Sequence, residues 1–547
     1  MINHPVAGVV VVILLGIIGS CSVSLRDSMG WDEAMHLGAP AAQISQALGD
    51  GELREAVNVV LSCERYPPMG PAIHGVIGWV FGSDELLMRQ TQRWFWALGL
   101  LGIFLLARSA TQPDDDDEPS PGARGAPWMA LALLAMSPLA LAFGGTLFLE
   151  PIFSAFGTLA VAAWIVRCRT DSARWDFIAG VLLAASLFTK WNYGLLLGGA
   201  LAVDLILEGV TRRDQLRPYL SSVLRLGLPT FLVCLWWFLL PLPAGAETAA
   251  SHRAAFAAFL GGNTALQETP AAVRWVHWTS SLVPSPRVLL WVVIAAFLMF
   301  FRLRTRAIRV LVCVLVLAGL PVWTHNFHLD RFLLPGAPFL FALAAIGVSG
   351  FLARLGSPGA WIGVALLAFG LVLPEADSMA VLHAVGIANP EKRAEQEQTL
   401  AAMRDLNPGR SLPTNGLDRE SHDALLGLID GALQEGDRLG WLGHSQAFPP
   451  FAWGMGLKSL QAEDPRAWAI IHNPEGRIIT TDAAAPPMTA GEIDEWAAAF
   501  DLILVSSPIT MKGGQRPGFS PIRNHLAGND GWLESELGVV QVQLPGG

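Results

Sequence analysis

Apolar residues fall in long runs broken by short polar stretches over the first two-thirds of the chain. They recur at 6–25, 86–108, 126–143, 150–167, 175–189, 191–208, 222–240, 287–301, 308–323, 331–352 and 358–373. Most are about 16–23 residues long, near the ~20 an α-helix needs to cross a hydrocarbon core. The pattern predicts an α-helical polytopic membrane protein with about 11 transmembrane helices, give or take about two. A further run at 68–82 is short and rich in Pro and Gly, and predicts an interfacial helix.

After Pro374 the pattern changes. Residues 391–404 and 421–434 have helical amphipathic spacing, as do stretches near 491–499 and 521–527. Short apolar runs at Leu439–Leu442, Ala467–Ile471, Leu502–Val505 and Val539–Leu544 have the length and composition of strands. The expected organisation is a transmembrane body over 1–373 and a soluble α/β domain over 374–547.

Composition sharpens this division. The chain of 547 residues is 52% hydrophobic and only 15% charged, against roughly 25% charged in soluble domains. A disordered chain, a coiled coil and an ordinary cytosolic enzyme are thereby excluded. Residues 374–547 hold 23 acidic and 12 basic side chains, so the net charge of −10 belongs to the tail. An acidic tail beside a near-neutral body has no basic face for nucleic acid. Five cysteines, four of them in or beside apolar runs, make no disulfide framework.

Basic residues set the orientation. With the N-terminus in the cytoplasm, the cytoplasmic loops carry Arg108 and Arg124; Arg167, Arg169 and Arg174; Arg212, Arg213 and Arg217; Arg302, Arg304, Arg306 and Arg309; and Arg354. The opposite side receives loops at about 26–85 and 241–286 and the whole tail. The expected location is an integral membrane protein, in the cytoplasmic (inner) membrane if the source is bacterial, with an extracytoplasmic C-terminal domain. Ile18-Gly19-Ser20-Cys21 is a loose lipoprotein cleavage box, but no Lys or Arg precedes it, and the first span is read as uncleaved. The acidic run Asp114–Glu118 is read as a solvated linker.

Charged groups are costly at membrane depth, so candidate chemistry lies just outside span ends. Four places fall on the extracytoplasmic face: Trp31-Asp32-Glu33-Ala34 with His36, Glu150 in Leu149-Glu150-Pro151, Lys190 in Thr189-Lys190-Trp191, and the stretch His325–Arg331. A carboxylate beside a hydroxyl can take its proton during attack. Lys, Arg and His together can hold a phosphate and stabilise it as it leaves. The same residues also have plainer readings: a loop carboxylate paired with Arg26 for Asp32, a snorkelling side chain for Lys190, interfacial anchors for His328 and Arg331. His325, three residues from His328, could form a divalent-metal site with Asp330. Tyr66, before Pro67-Pro68, is placed to shape the loop over a substrate.

The ordered set Trp31-Asp32-Glu33-Ala34, Tyr66-Pro67-Pro68-Met69, Leu149-Glu150-Pro151, Phe188-Thr189-Lys190-Trp191 and Asp330-Arg331-Phe332-Leu333-Leu334-Pro335 resembles polytopic glycosyltransferases of the C superfamily. The similar types are the protein-mannosyltransferases and the lipid-A aminoarabinose transferases, and the resemblance covers about residues 1–373. It implies transfer of a sugar from a polyprenyl-phosphate donor to a hydroxyl of a lipid, glycan or protein, with inversion, on the extracytoplasmic side. It further implies Asp32 as catalytic base with Glu33 beside it, and Glu150 as a second acid positioning the acceptor or a metal. Lys190, His328 and Arg331 match donor-phosphate positions, and Tyr66 and His36 the substrate loop. No cofactor is required by the resemblance, although a divalent metal ion is possible. The chain departs from the family pattern at His36, where Tyr is more usual, and at Glu150, where Asp is. A secondary transporter, for which Asp204 and Glu208 toward the inner end of one span are the support, and an inactive membrane assembly protein stand as alternatives.

Overall fold

A computed structural model describes residues 5–21, 33–63, 66–112, 121–211, 216–235, 286–300, 305–324 and 330–354, and in the tail 439–442, 489–497, 502–506, 532–537 and 540–545, with 282, 303, 424 and 427 singly. The chain divides into two units, one of residues 1–23, 40–83 and 87–413, the other of 24–39, 84–86 and 414–547.

The helices of the first unit follow the apolar runs closely. They are α1 (Pro5–Cys21), α2 (Ala39–Gly49), α3 (Leu53–Ser62), α4 (Met69–Phe81), α5 (Glu85–Thr111), α6 (Pro121–Ala135), α7 (Pro138–Phe143), α8 (Leu149–Thr170), α9 (Ala173–Leu187), α10 (Trp191–Thr211), α11 (Leu216–Cys234), α12 (Pro286–Phe300), α13 (Arg306–Thr324) and α14 (Ala337–Arg354). Among the described residues, α5, α8 and α10 are long and apolar enough to cross a membrane, and α1, α4, α11 and α14 contain shorter apolar helices. The apolar run at 358–373 lies outside the described residues.

Two runs are divided where local chemistry overrides hydropathy. The run 126–143 breaks at Ser137-Pro138: the proline cannot continue a helix but suits a first turn, and the Ser137 side chain caps α7 by accepting from Ala140 N. The Ser137 hydroxyl also donates to the Leu282 carbonyl at 2.7 Å. The run 331–352 begins as a 3-10 turn, Asp330–Leu333, because Pro335 and Gly336 delay the start of α14.

Helix α8 is the hub. Buried residues line it from Leu149 to Arg167, and α9 and α10 pack on it in turn. Further pairs are α6 with α14, α9 with α11, α12 with α14, and α10 with α13. Trp164, Phe104, Phe339 and Phe341 fill the interior. Helix α10 has its polar groups inside: Asp204 and Glu208 are buried while Val203, Ile206, Leu207 and Val210 are exposed. That arrangement suits a lipid surround, where an unpaired charge facing hydrocarbon is the costly outcome.

At the Arg167 end of α8 the buried charges form one network. Arg167 donates to Asp176 at 2.8 Å and Glu208 at 2.5 Å, and to the Ser222 hydroxyl at 3.0 Å. Ser222 donates to Asp176, which also receives Arg225. Arg306 bridges Asp204 at 2.8 Å and Glu208 at 2.9 Å, and the Trp164 indole donates to Asp204. Asp204 and Glu208 are thus held by arginines from α8 and α13. The network ties α8, α9, α10, α11 and α13 together, and removing one partner from such a set leaves a buried charge uncompensated.

In the second unit, Ala34–Gly38 forms a π-helical turn and Ala490–Ala497 forms α15. Strands β1 (Leu439–Leu442), β2 (Leu502–Ser506), β3 (Trp532–Leu537) and β4 (Val540–Pro545) make a sheet of order β1-β2-β4-β3, parallel only between β1 and β2. Three strands coincide with expected runs. Strand β3 was not anticipated, because Glu534 and Glu536 interrupt its apolar residues. The run at 467–471 and the helices at 391–404 and 521–527 lie outside the described residues, as does nearly all of 421–434.

Candidate functional site

Lys190 sits in the tight turn between α9 and α10. Helix α9 closes with Phe188 N donating to Ala184 O and Lys190 N to Ser186 O at 3.0 Å, and the Thr189 hydroxyl donates back to Ala185 O. Gly194 then lies against Leu187 so closely that a Cβ would overlap the Leu187 Cα, so the turn tolerates only glycine there.

Glu150 sits in the first turn of α8, where the helix N-terminus favours negative charge. The Lys190 Nζ is 2.6 Å from Glu150 Oε1, and only 3% and 1% of these residues is exposed, which makes this a buried ion pair and not a solvated one. Arg331, on the 3-10 turn, brings its Nε to 3.6 Å from the same oxygen.

Aromatic rings enclose both cations. The Lys190 ammonium lies 5.5 Å from the Tyr66 ring centre, 5.3 Å from Tyr193 and 5.4 Å from Phe332. The Arg331 guanidinium lies 4.4 Å over Phe148 and 5.6 Å from Phe332. Ring faces attract cations, and the attraction grows when water is excluded. The Tyr193 hydroxyl donates to Phe332 O at 3.3 Å, fixing the 3-10 turn against α10.

A row of polar side chains on α5 supports this region from behind. Arg93 donates to Leu141 O at 3.1 Å, Arg89 to Gly145 O at 3.3 Å, and the Gln92 amide to Phe148 O. These carbonyls run from within α7 (Leu141) through the connector (Gly145) to the residue preceding α8 (Phe148), two before Glu150. Helix α4 is fastened to the site twice. Met69 N donates to Phe188 O at 3.1 Å, beside Lys190. His74, fully buried, is hydrogen-bonded through Nδ1 to Gly70 O and lies beside the Gln92 side chain. Burial pulls the His74 imidazole down to about 4 despite that hydrogen bond, so the ring is neutral at physiological pH. Burial likewise pushes the Cys63 thiol up to about 12, which removes it as a nucleophile.

Of the residues singled out in the sequence, Glu150, Lys190, Arg331 and Tyr66 converge. Glu33 is buried and His36 half-buried on the π-helical turn, in the second unit. Asp32, His325 and His328 lie outside the described residues, and Asp330 contributes backbone to the 3-10 turn. Among the described residues no three His, Cys, Asp or Glu side chains converge as metal ligands. The sequence reading passed over Tyr193, Phe148, Phe332, Gln92 and His74. Tyr193 had the clearest signal, as one of three tyrosines in the chain and three residues after Lys190.

Among solved structures, the chain is similar to ArnT from Cupriavidus metallidurans bound to undecaprenyl phosphate, with 14% identity, a TM-score of 0.59, and coverage of 98% of this chain and 97% of that one. The apo state of the same protein gives a TM-score of 0.58 over the same extents. No family model matches the sequence, and no curated protein matches it significantly. At this identity the likeness is one of fold. Together with the apolar helices, that fold supports an integral membrane protein.

Proposed function

We propose that this chain is an integral-membrane glycosyltransferase that moves a sugar from a polyprenyl-phosphate donor to a hydroxyl of a lipid, glycan or protein. The observation that carries the reading is the placement of Lys190 and Arg331 around one carboxylate oxygen of Glu150. A point reached by an ammonium and a guanidinium, walled by aromatic rings, is a point where an anionic oxygen is held. Glu150 Oε1 occupies it here, and a phosphate oxygen has the same charge and the same hydrogen-bonding demand. Undecaprenyl phosphate bound to ArnT, a protein of the same fold, supports a lipid phosphate as that anion.

In this reading Asp32 accepts the proton of the acceptor hydroxyl as its oxygen bonds to the anomeric carbon. The carbon–oxygen bond to the donor phosphate breaks on the opposite face, which inverts the configuration. The leaving phosphate gains negative charge, and Lys190 and Arg331, with His328, stabilise it. Glu33 assists Asp32, and Glu150 serves as the counter-ion that keeps Lys190 in place between turnovers. The reaction takes place on the extracytoplasmic side.

The test is turnover of a radiolabelled polyprenyl-phosphate sugar by the purified protein in lipid nanodiscs. Asp32→Asn is expected to lower turnover about 10²–10⁴-fold, the usual contribution of a general base. Undiminished turnover in that variant would remove Asp32 from the mechanism. The transporter alternative finds no support in Asp204 and Glu208, which are committed to Arg167 and Arg306.

A further inference from the structure

Gln92 is the fully buried polar residue of α5, and its amide donates to the Phe148 carbonyl. Phe148 is the residue through which both halves of the cation site are set. Its backbone occupies the N-cap of α8, with no side-chain cap of its own, and delivers Glu150 two residues later to Lys190. Its ring lies 4.4 Å under the Arg331 guanidinium. A single hydrogen bond to this residue therefore constrains the carboxylate and the aromatic support of the second cation together.

Behind Gln92 stands His74 of α4. Its ring is stacked on Phe95 at 6.1 Å, is hydrogen-bonded through Nδ1 to Gly70 O, and lies beside the Gln92 side chain. Helix α4 otherwise presents Val76, Trp79, Val80 and Phe81 outward, a surface suited to the lipid interface. His74 thus packs α4 against Gln92, which in turn holds Phe148, while Arg93 and Arg89 hold the preceding carbonyls of Leu141 and Gly145.

We propose that Gln92, backed by His74, is a positioning residue for anion binding: its amide donor holds Phe148 so that Glu150, Lys190 and Arg331 keep the geometry that a lipid phosphate requires. The proposal rests on the phosphate-site reading above and adds a residue that touches neither donor nor acceptor. Gln92 acts through one N–H donor, so the donor and not the bulk of the side chain must matter.

The experiment measures binding of a fluorescent short-chain polyprenyl phosphate to the purified full-length protein, with thermal unfolding recorded alongside. Gln92→Met keeps the shape and lacks the donor, and is expected to weaken binding about tenfold at every pH, since displacement of a site by about 1 Å is costly. Gln92→Glu is isosteric and has a donor only when protonated. A buried carboxyl protonates more readily than a free one. Its affinity relative to wild type is therefore expected to be low at pH 8 and to recover toward pH 5.5. Equal losses in both variants at both pH values would assign Gln92 a packing role alone and overturn the proposal. Lys190→Met scores the phosphate reading separately. If it loses binding while both Gln92 variants stay within twofold of wild type, the positioning role fails and the phosphate site stands. A wild-type protein that binds no polyprenyl phosphate overturns both.

Discussion

Lys190 and Glu150, 40 residues apart, meet at 2.6 Å in the interior of a membrane protein. The family resemblance gives the two separate roles, one on the donor phosphate and one on the acceptor side; the structure pairs them. Taking an ammonium out of water costs several kcal/mol even after relaxation, at the order of magnitude. Lys190 is therefore held inward by a carboxylate, which under the proposed function a phosphate replaces.

This partnership makes a specific prediction for Glu150→Gln. Removal of the counter-ion leaves Lys190 buried without its carboxylate, and loss of one member of such a pair typically costs about 3–5 kcal/mol. The melting temperature of the variant is expected to fall. An added polyprenyl phosphate restores the missing charge, so it should raise the melting temperature of Glu150→Gln more than that of wild type. Differential scanning fluorimetry with and without the lipid checks this. Equal ligand-induced shifts in the two proteins would count against Glu150 as a stand-in for the phosphate.

The network at the other end of α8 gives the opposite expectation. Arg167 lies 17 residues beyond Glu150, about 25 Å along the helix at 1.5 Å per residue. Arg167→Met removes the cation that Asp176 and Glu208 share, leaving Asp176 to Arg225 and Glu208 to Arg306 alone. Stability should drop by about 3–5 kcal/mol, while the folded fraction binds the lipid phosphate as wild type does. Thermal unfolding and ligand titration on the same sample separate the two effects. A variant that melts normally would mean the network contributes little to holding the helices together.

His74 predicts a pH dependence of stability. Its folded value is lowered to about 4 from the ordinary 6.5, so the unfolded chain takes up its proton first as pH falls. The contribution is present in full above 6.5 and is lost as pH drops through the interval down to about 4, for a total of about 3 kcal/mol. His74→Gln should therefore lose less stability than wild type between pH 7.5 and 4.5. Parallel melting curves across that interval would refute a neutral buried imidazole.

The sequence was most legible where one physical effect dominates. Hydropathy alone located α5, α8, α9 and α10 to within a few residues, because apolar length is what a bilayer demands. It read through the Ser137-Pro138 break, where a local cap and a missing N–H outweigh apolarity. It missed β3, where Glu534, Ser535 and Glu536 interrupt the apolar residues. The site was half legible. Glu150, Lys190, Arg331 and Tyr66 stood out as polar groups at span ends. Their pairing did not, since it depends on how α8 meets the α9–α10 turn. Gln92 and His74 gave no signal, because a neutral polar residue inside an apolar helix looks the same whether it packs or positions.

The most direct measurement is the affinity of the purified protein for a polyprenyl phosphate, compared among wild type, Lys190→Met and Arg331→Met. If these cations form the phosphate clamp, each variant binds at least about tenfold more weakly, and the double variant shows no detectable binding, since a charge-assisted contact is typically worth about 1.5–3 kcal/mol. Wild-type affinity in both single variants, with the proteins folded, would contradict the clamp and the glycosyl-transfer mechanism built on it.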